Sequence, residues 1–250
     1  MSPYAIETSG LRLRLNGVGV LNGVDLALER GRITALVGPN GAGKTTLFNT
    51  IAGDQAPDEG EVRLEGRPVT GAAPWQLARA GVGRLFQEVR VFDDLSAIEN
   101  VVLALLQLPE RRSRWMPVGQ TRWNRLRDEA MGWIESVGVT GELEQPAGRL
   151  SFGNRKLLAL ARLLAGRFSV LLLDEPTAGV SPDIVVRIVA TLRDLRASTG
   201  MTIAVIEHDY EFVAAIADRV CVLSEGRVLD FGDASTVLGN KRNREILVGL

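Results

Sequence analysis

The segment "GPNGAGKTT" at positions 38–46 has the composition of a loop that binds phosphate groups. It fits the pattern G-x-x-x-x-G-K-[ST] and stands between an apolar run typical of a strand and a run typical of a helix, as that pattern requires. Glycines let successive backbone N–H groups turn toward one anion, and the helix N-terminus adds a partial positive charge. Lys44 can reach the β- and γ-phosphates of a nucleotide, and the Thr45 hydroxyl can bind Mg²⁺. The predicted nucleotide-binding residues of this loop are Gly38, Pro39, Asn40, Gly41, Ala42, Gly43, Lys44, Thr45 and Thr46.

Two adjacent acids end the apolar stretch "VLLLDEP" at positions 170–176. Burying neighbouring carboxylates without a partner is costly, so a metal ion or a reacting water is expected beside them. We predict that Asp174 holds Mg²⁺ through water and that Glu175 is the general base or orients the attacking water. The alternative is an acid that only caps the following segment. The glycine loop earlier in the chain favours the catalytic interpretation.

Two further polar residues follow apolar runs. His208, the single histidine, ends "TIAVIEH". A histidine at a strand end is often only a structural hydrogen-bonding group, but ligands of open α/β sheets bind at strand ends. We therefore predict that His208 holds the γ-phosphate and the attacking water. Gln87, in "GRLFQEVRVF", can ligate Mg²⁺ or contact the water through its amide, although in isolation it is only a surface glutamine.

The segment "LSFGN" at positions 150–154 predicts a second anion-binding loop, because an apolar helical run follows it. A serine hydroxyl and the N-terminus of a helix beginning near Asn154 would point at a phosphate. The bulky Phe152 beside Gly153 is unexpected in such a loop. We predict that Asn154 caps the helix. The predicted nucleotide contacts here are Ser151, Phe152, Gly153 and Asn154.

Apolar strands and helices alternate in the first and last parts of the chain. "ITALVG" leads into the glycine loop, "SVLLLDE" into the paired acids and "TIAVIEH" into the histidine. Leucine and arginine alternate strictly in Leu11–Leu15, which predicts a strand with one face buried. The segment "RVCVLSEGRVLDFG" predicts a hairpin at Glu225–Gly226. This order predicts a mainly parallel sheet covered on both faces by helices.

The middle of the chain predicts helices. Ser96 and Glu99 form a capping-box pattern before an apolar run. The segment Leu108–Gly119, with two prolines and several arginines, predicts a loop. A set of apolar residues recurs every three or four positions later in this part of the chain. The spacing predicts a helix whose apolar side, including its tryptophans, packs on a core rather than stacking on a cofactor. The residues of this set are Trp123, Leu126, Ala130, Trp133 and Val137. A later helix is predicted to bury Val185, Ile188, Val189 and Leu192.

Composition narrows the class of protein. The 250 residues are 46% hydrophobic and 24% charged, with a formal net charge of −1, so no global basic field indicates nucleic-acid binding. The single cysteine, Cys221, excludes an internal disulfide and suits a reducing compartment. No run approaches the roughly 20 apolar residues of a membrane span, and the first residues lack a signal-peptide pattern. We therefore expect a cytoplasmic protein whose membrane role, if any, needs a partner.

Taken together, these motifs resemble those of the ATPase subunits of ABC transporters, in the same order and over nearly the whole chain. "GPNGAGKTT" resembles Walker A, "LFQEVRVF" the Q-loop, "LSFGN" the signature, "LLLDEP" Walker B and "VIEHD" the switch histidine. "FQEVRVFDDLSAIENV", "DEPTAGVSP" and "IEHD" further resemble the ATPases of bacterial branched-chain amino-acid importers. Urea and amide importers look alike, and the lipopolysaccharide-export ATPase is more distant.

The resemblance implies a fold, ligands and partners. It implies an α/β P-loop NTPase core (1–88 and 156–250) with a mainly parallel sheet, an N-terminal antiparallel β part, and an inserted helical lobe (89–155) that carries the signature. ATP with Mg²⁺ would lie between the glycine loop of one subunit and the signature of a second, identical or different, ATPase subunit. Membrane permease subunits would dock near the lobe and the Q-loop, with a solute-binding protein acting indirectly. The chain would sit at the inner face of a bacterial plasma membrane.

Two residues depart from the pattern of the ABC family, and three alternative functions remain. Leu15 stands where relatives carry an aromatic residue that stacks on adenine, and Ser181 stands where they carry an aspartate that touches the opposite subunit. Ser181 in "SPD" is also explained as a helix cap. The alternatives are a low-turnover nucleotide clamp in a heterodimer, the ATPase of an exporter of the lipopolysaccharide type, and a soluble ABC-type ATPase for DNA or translation. Near-neutral charge and the absence of a long coiled-coil insertion count against the last.

Overall fold

A computed structural model of the chain describes residues 2–106 and 119–248. The predicted loop Leu108–Gly119 lies outside these residues except for Gly119. The chain divides into two compact units. The first comprises Met1–Arg84, Ser169–Glu175 and Leu192–Leu250, and the second comprises Leu85–Phe168 and Pro176–Thr191.

The N-terminal part of the first unit forms an antiparallel sheet of four strands, in the order β2-β1-β4-β5. Leu11 and Leu13 of β1 are buried while Arg12 and Arg14 are exposed, which confirms the predicted alternation. The strand is longer than the motif and begins at Tyr4. The strands are β1 (Tyr4–Leu15), β2 (Val18–Glu29), β4 (Glu59–Leu64) and β5 (Arg67–Pro68).

A second sheet has six strands in the order β10-β9-β3-β8-β7-β6. They are β3 (Ile33–Val37), β6 (Val82–Leu85), β7 (Val170–Asp174), β8 (Thr202–Ile206), β9 (Arg219–Ser224) and β10 (Arg227–Asp233). Strand β3 pairs in parallel with β8 and β9, and β7 pairs in parallel with β8. Every residue of β3, β7 and β8 is buried, as expected for strands covered on both faces. The mixed α/β architecture confirms the predicted fold class.

The first unit also contains several complete helices. They are α1 (Lys44–Ile51), α2 (Pro74–Arg79), α7 (Tyr210–Ile216), α8 (Ala234–Gly239) and α9 (Lys241–Val248). Phe48 of α1 and Phe212 of α7 are among the largest fully buried side chains. Strands β9 and β10 form the predicted hairpin, in which Glu225 and Gly226 both have positive φ. Cys221 on β9 is fully buried, and burial raises the pKa of its thiol to about 12, so the residue serves packing rather than chemistry.

The second unit is helical. It contains α3 (Ala97–Leu106), α4 (Gln120–Ser136), a short 3₁₀ helix (Ala147–Arg149), α5 (Phe152–Ala165) and the beginning of α6 (Pro182–Thr199). The predicted capping box of α3 is present: the Ser96 N–H donates to Glu99 Oε2 over 2.8 Å, and the Glu99 N–H donates to Ser96 Oγ over 3.1 Å. No helix within 2–106 or 119–248 is long and apolar enough to cross a membrane.

Two predicted helix faces need adjustment. On α4, Leu126 and Ala130 are buried as predicted, but Trp123 and Trp133 are only partly covered, and Ile134 takes the adjacent core position. On α6 the buried face differs in part from the predicted one. The buried residues of that helix are Ile184, Ile188, Thr191, Leu192 and Leu195, whereas Val185 and Val189 are half-buried. Consecutive β-branched residues make adjacent rows of this helix equally apolar, so periodicity alone could not choose between them.

Candidate functional site

The glycine loop joins the end of β3 to the start of α1, and close backbone approaches fix its shape. Gly38 has φ 148°, and a Cβ there would lie 1.9 Å from the Leu223 carbonyl oxygen. Gly43 has φ 99°, and a Cβ there would lie 2.7 Å from the Val20 carbonyl oxygen. Any side chain at either position would collide with a neighbouring strand, so these glycines allow the loop to lie against β9 and β2.

The β9–β10 hairpin supports the loop from the same side. The Gly226 N–H donates to the Ala42 carbonyl over 3.0 Å, and the Asn22 N–H donates to the Gly226 carbonyl over 2.8 Å. The Asn22 side chain also donates to the Glu225 carbonyl over 2.7 Å. A chain of hydrogen bonds within the protein therefore holds the loop in its bent form, which lowers the ordering cost of binding a ligand.

Lys44 begins α1, and its ammonium group folds back over the loop. Its Nζ donates to the Gly38 and Pro39 carbonyls over 2.7 and 2.9 Å, and the residue is only 6% exposed. Burial lowers the pKa of Lys44, while Glu175 and Asp174 act in the opposite direction. The cation is thus held close to both acids by groups of the loop itself.

Asp174 ends β7 and is almost completely buried. Its Oδ1 has no hydrogen-bond partner among the residues that the structure describes. Burial raises the pKa of Asp174, opposed by the Arg84 charge; Glu175 raises it further, and hydrogen bonds from Arg84 and Thr45 lower it. An uncompensated buried carboxylate oxygen beside a threonine hydroxyl has the chemistry of a hard-cation ligand.

Glu175 and His208, which lie at the ends of neighbouring strands, contact each other. The parallel register sets Asp174 opposite Ile206, and the Glu175 N–H donates to the Ile206 carbonyl over 3.0 Å. His208 Nε2 lies 3.0 Å from Glu175 Oε1. Glu175 has φ 45°, which is uncommon for a residue with a long side chain. This left-handed backbone belongs to the residue with the predicted catalytic role.

Arg84 is a polar residue of this region that sequence reasoning missed. It lies on β6, and its guanidinium donates to Asp54 Oδ2 over 2.5 Å and to Asn49 Oδ1 over 2.6 Å. Its Nη2 is also 3.6 Å from Asp174 Oδ2. The side chain therefore ties Asp174 to the segment at the end of α1. The only available sequence signal was a charged residue inside an apolar strand.

Gln87 belongs to the second unit and follows β6 in an exposed turn. The loop after it is held by Asn100, which is fully buried. Asn100 Oδ1 accepts from the Phe92 N–H over 2.9 Å, and its Nδ2 donates to the Phe92 carbonyl over 2.9 Å. A buried amide thus fixes the conformation of this loop, which periodicity gave no reason to expect.

The "LSFGN" segment, also in the second unit, begins α5. The predicted cap at Asn154 is wrong, because the helix begins at Phe152 and Ser151 is the N-cap. The Asn154 N–H donates to Ser151 Oγ over 3.3 Å, whereas the Asn154 side chain bonds the Thr140 N–H over 3.1 Å. Serine takes the cap because it lies three residues before an available N–H, and this frees the amide to bind the preceding loop.

Ser181 immediately precedes α6, as the capping explanation predicts. Its carbonyl accepts from the Ile184 N–H over 3.0 Å, and its hydroxyl donates to Asp183 Oδ1 over 2.5 Å. The hydrogen bond from Ser181 lowers the pKa of Asp183. A contact from Ser181 to an opposite subunit stays a prediction.

A model of the ABC transporter family matches residues 21–178, well over half of the chain. The chain belongs to the ABC transporter family. This confirms the family resemblance predicted from the five motifs, and members of this family bind nucleotide.

Curated relatives within the ABC family extend over nearly the whole chain. The "high-affinity branched-chain amino acid transport ATP-binding protein" BraF of Pseudomonas aeruginosa is 34% identical, over 96% of each chain. LivG of Escherichia coli, of the same description, is 33% identical, also over 96% of each chain. The ribose import ATP-binding protein RbsA 2 of Rubrobacter xylanophilus is 36% identical over 91% of this chain and 43% of its own length.

Solved ABC cassettes share the fold. The ADP conformation of MJ1267, described as an ATP-binding cassette of an ABC transporter, has a TM-score of 0.84 and 27% identity, with 100% of both chains covered. CbiO1 of Clostridium perfringens, described as part of the complex cbiONQ, has a TM-score of 0.80 and 29% identity, with 100% of this chain and 96% of that chain covered. This chain is thus an ABC ATPase subunit closely related to importer ATPases.

Proposed function

We propose that this ABC ATPase hydrolyses ATP with Mg²⁺ to power an importer of branched-chain amino acids or a similar small polar solute. The observation that carries the proposal is the arrangement of four groups: Lys44 at the start of α1 acts electrostatically on Asp174 and Glu175, and Glu175 contacts His208 beyond the ends of the neighbouring strands β7 and β8. The choice of solute rests on the BraF and LivG relatives, which match over 96% of the chain.

The loop and Asp174 fit a magnesium-bound nucleotide. Asn40 and Gly41 at the tip of the loop are exposed and can receive phosphates, while Lys44 can exchange its two carbonyl partners for phosphate oxygens. Mg²⁺ commonly takes one or two carboxylates and completes its shell with phosphates and water. Asp174 and Thr45 would hold it, with Gln87 as a further predicted ligand. The ion would neutralise charge on the transferred phosphoryl group.

Glu175 would accept a proton from the attacking water as the water oxygen bonds the γ-phosphorus and the bond from that phosphorus to the departing ADP breaks. His208 would hold the γ-phosphate and that water, and its contact with Glu175 fixes the direction of the carboxylate. Because the two side chains are hydrogen-bonded to each other, they would keep their positions while the nucleotide binds. These roles argue against the low-turnover clamp, which would have no use for a positioned base.

We further propose that the nucleotide is enclosed by a second ATPase subunit, whose signature segment reaches the γ-phosphate. In this chain the corresponding residues are Ser151, Phe152, Gly153 and Asn154, in a helical subdomain that spans 89–155. A dimer is described for the cassette MJ0796 and a multi-component complex for CbiO1, which supports such an assembly. Permease subunits would then bind near Gln87 and hold the chain at the inner face of the plasma membrane.

The function is tested with the chain, its permeases and its second ATPase subunit in liposomes. We expect uptake of radiolabelled leucine, isoleucine or valine that depends on ATP and on the solute-binding protein, with phosphate released in parallel. Ribose serves as the control solute. ATP hydrolysis without uptake of any of the three amino acids would contradict the choice of solute, and no phosphate release from the complete complex would contradict the ATPase role. Extraction of a lipid from the same liposomes would instead support the exporter alternative.

Leu15 leads to a separate prediction about nucleotide affinity. It is the last residue of β1, partly buried against the core and directly before the turn at Asn16. A base stacked on an aromatic ring gains about 1–3 kcal/mol. We therefore expect Leu15→Tyr to bind ATP roughly 5- to 150-fold more tightly in calorimetry. Tripolyphosphate, which has no base, is the control. Equal tightening for both ligands, or none for ATP, would contradict the adenine position.

A further inference from the structure

Lys156 is a buried cation for which the proposed ATPase chemistry has no use. It lies in the second turn of α5 and is 3% exposed. Its Nζ donates to the carbonyl of Ala178, in the segment after the paired acids, over 2.8 Å. A buried ammonium group is costly unless hydrogen-bonded, so this bond fixes where the Ala178 carbonyl lies relative to the helix.

Phe152, in the first turn of α5, packs against both Lys156 and the residue after Ala178. Its ring centroid is 5.9 Å from Lys156 Nζ. A Cβ on Gly179, whose φ is +73°, would lie 3.3 Å from Phe152 Cε1, so the ring rests against the Gly179 backbone. A Cβ on Gly153 would lie 2.9 Å from Ile184 Cγ1, so the helix start also packs directly on α6. The aromatic residue in "LSFGN" therefore packs on its own chain, with 44% of its surface exposed.

These contacts join two segments that the sequence separates by more than twenty residues. One is the start of α5, with the Ser151 cap and Gly153. The other is the loop 177–181, which ends at Ser181 before α6. Lys156 bonds Ala178 and Phe152 covers Gly179, so a displacement of the loop must break a partly buried hydrogen bond.

We propose that Lys156 is a positioning residue that holds the loop 177–181 against the signature segment, so that Ser151, Gly153 and Ser181 meet a second subunit and its nucleotide as one preformed surface. The inference rests on the proposed head-to-tail pairing. Preformation lowers the ordering cost of association, so its loss should weaken pairing rather than the first binding of ATP, which uses the first unit.

The first test measures hydrogen exchange in the full chain without a partner. Lys156→Met keeps a flexible apolar stem and removes the donor, whereas Lys156→Arg keeps a charged donor. We expect Lys156→Met to speed amide exchange at least about tenfold in 151–155 and 177–184, with no change in 38–46. Lys156→Arg should restore most of the protection. Unchanged exchange in both segments for Lys156→Met would overturn the proposal.

The second test measures ATP-driven pairing by sedimentation, in a Glu175→Gln background that prevents turnover and with whichever ATPase subunit pairs with this chain. Lys156→Met should weaken pairing at least about tenfold while ATP affinity of the unpaired chain stays within twofold, and Lys156→Arg should recover pairing. Gly179→Ala, which presses a methyl group on Phe152 and leaves Lys156 in place, should weaken pairing in the same way if Lys156→Met fails to fold.

The outcomes separate the two proposals. Pairing of Lys156→Met or Gly179→Ala at parental strength overturns the positioning role alone. A parallel loss of ATP affinity and pairing also overturns it, because a merely structural residue would behave that way. A parent that does not pair at all contradicts the proposed head-to-tail assembly, and the positioning role falls with it.

Discussion

A Glu175→Gln variant should bind ATP as tightly as the unchanged protein and hydrolyse it at least about a hundredfold more slowly, since a positioned general base contributes roughly 10²–10⁴ in rate. Glutamine keeps the size of the side chain and can still bond His208, which lies 3.0 Å from the present carboxylate. It cannot take a proton from water. Single-turnover phosphate release at saturating ATP measures the loss directly, and the bound nucleotide should accumulate in a trapped dimer.

The matched control for this variant is Glu211→Gln. Glu211 lies in the first turn of α7, three residues beyond His208, and is exposed. Both variants therefore lose one carboxylate charge, one at the proposed base and the other at an exposed position on α7. We expect Glu211→Gln to hydrolyse ATP within about twofold of the parent. Undiminished turnover in Glu175→Gln would refute the assignment of the base, whereas equal losses in both variants would indicate a general electrostatic effect.

Lys44→Ala should weaken ATP binding by roughly 10- to 150-fold, because hydrogen bonds to a charged group contribute about 1.5–3 kcal/mol. The ammonium group already lies over the loop, 2.7 Å from the Gly38 carbonyl, so little rearrangement is needed for it to meet a phosphate. Binding can be followed by calorimetry and by the rise in melting temperature on adding ATP. That rise should largely disappear, since it scales with the logarithm of ligand concentration over Kd.

Nucleotide-free stability separates loss of binding from loss of fold in the Lys44→Ala variant. Because burial lowers the pKa of Lys44, the charge opposes folding at pH values below that pKa, and this opposition fades as the pH rises toward 10.5. Removing the cation therefore costs the nucleotide-free protein no charge stabilisation. Lys241→Ala, a fully solvated lysine at the start of α9, is the control and should leave ATP affinity unchanged. An unchanged affinity in Lys44→Ala would contradict the phosphate role.

The parts of the site that the sequence predicted are those made of contiguous residues. The glycine loop, the Asp174–Glu175 pair and His208 each lie at or just beyond the end of a fully buried strand, and parallel strands place their carboxyl ends along one edge. The Ser96–Glu99 capping box is equally local, because its two hydrogen bonds join residues three apart. For such local features, the residue types and their spacing are enough to predict most of the geometry.

The parts that the sequence did not predict depend on distant partners. Arg84 bonds Asn49 and Asp54, which are 35 and 30 residues away, and Lys156 bonds the carbonyl of Ala178, 22 residues away. The periodicity of apolar residues along the chain gives no information about pairs so far apart in the sequence. Asn154 illustrates the same limit on a smaller scale. Both Ser151 and Asn154 are good caps by residue type, and only the structure shows which one faces a free N–H.

The left-handed backbone of Glu175 has a consequence for how this protein would change under selection. Outside glycine, that conformation costs about 1–2 kcal/mol, and asparagine tolerates it better than glutamate does. The bonds to Ile206 and His208 offset part of this cost. A library of variants ranked only by heat resistance would therefore be expected to enrich glycine or asparagine at position 175 and to discard the acid. At the proposed catalytic base, thermal tolerance and turnover would then be in conflict.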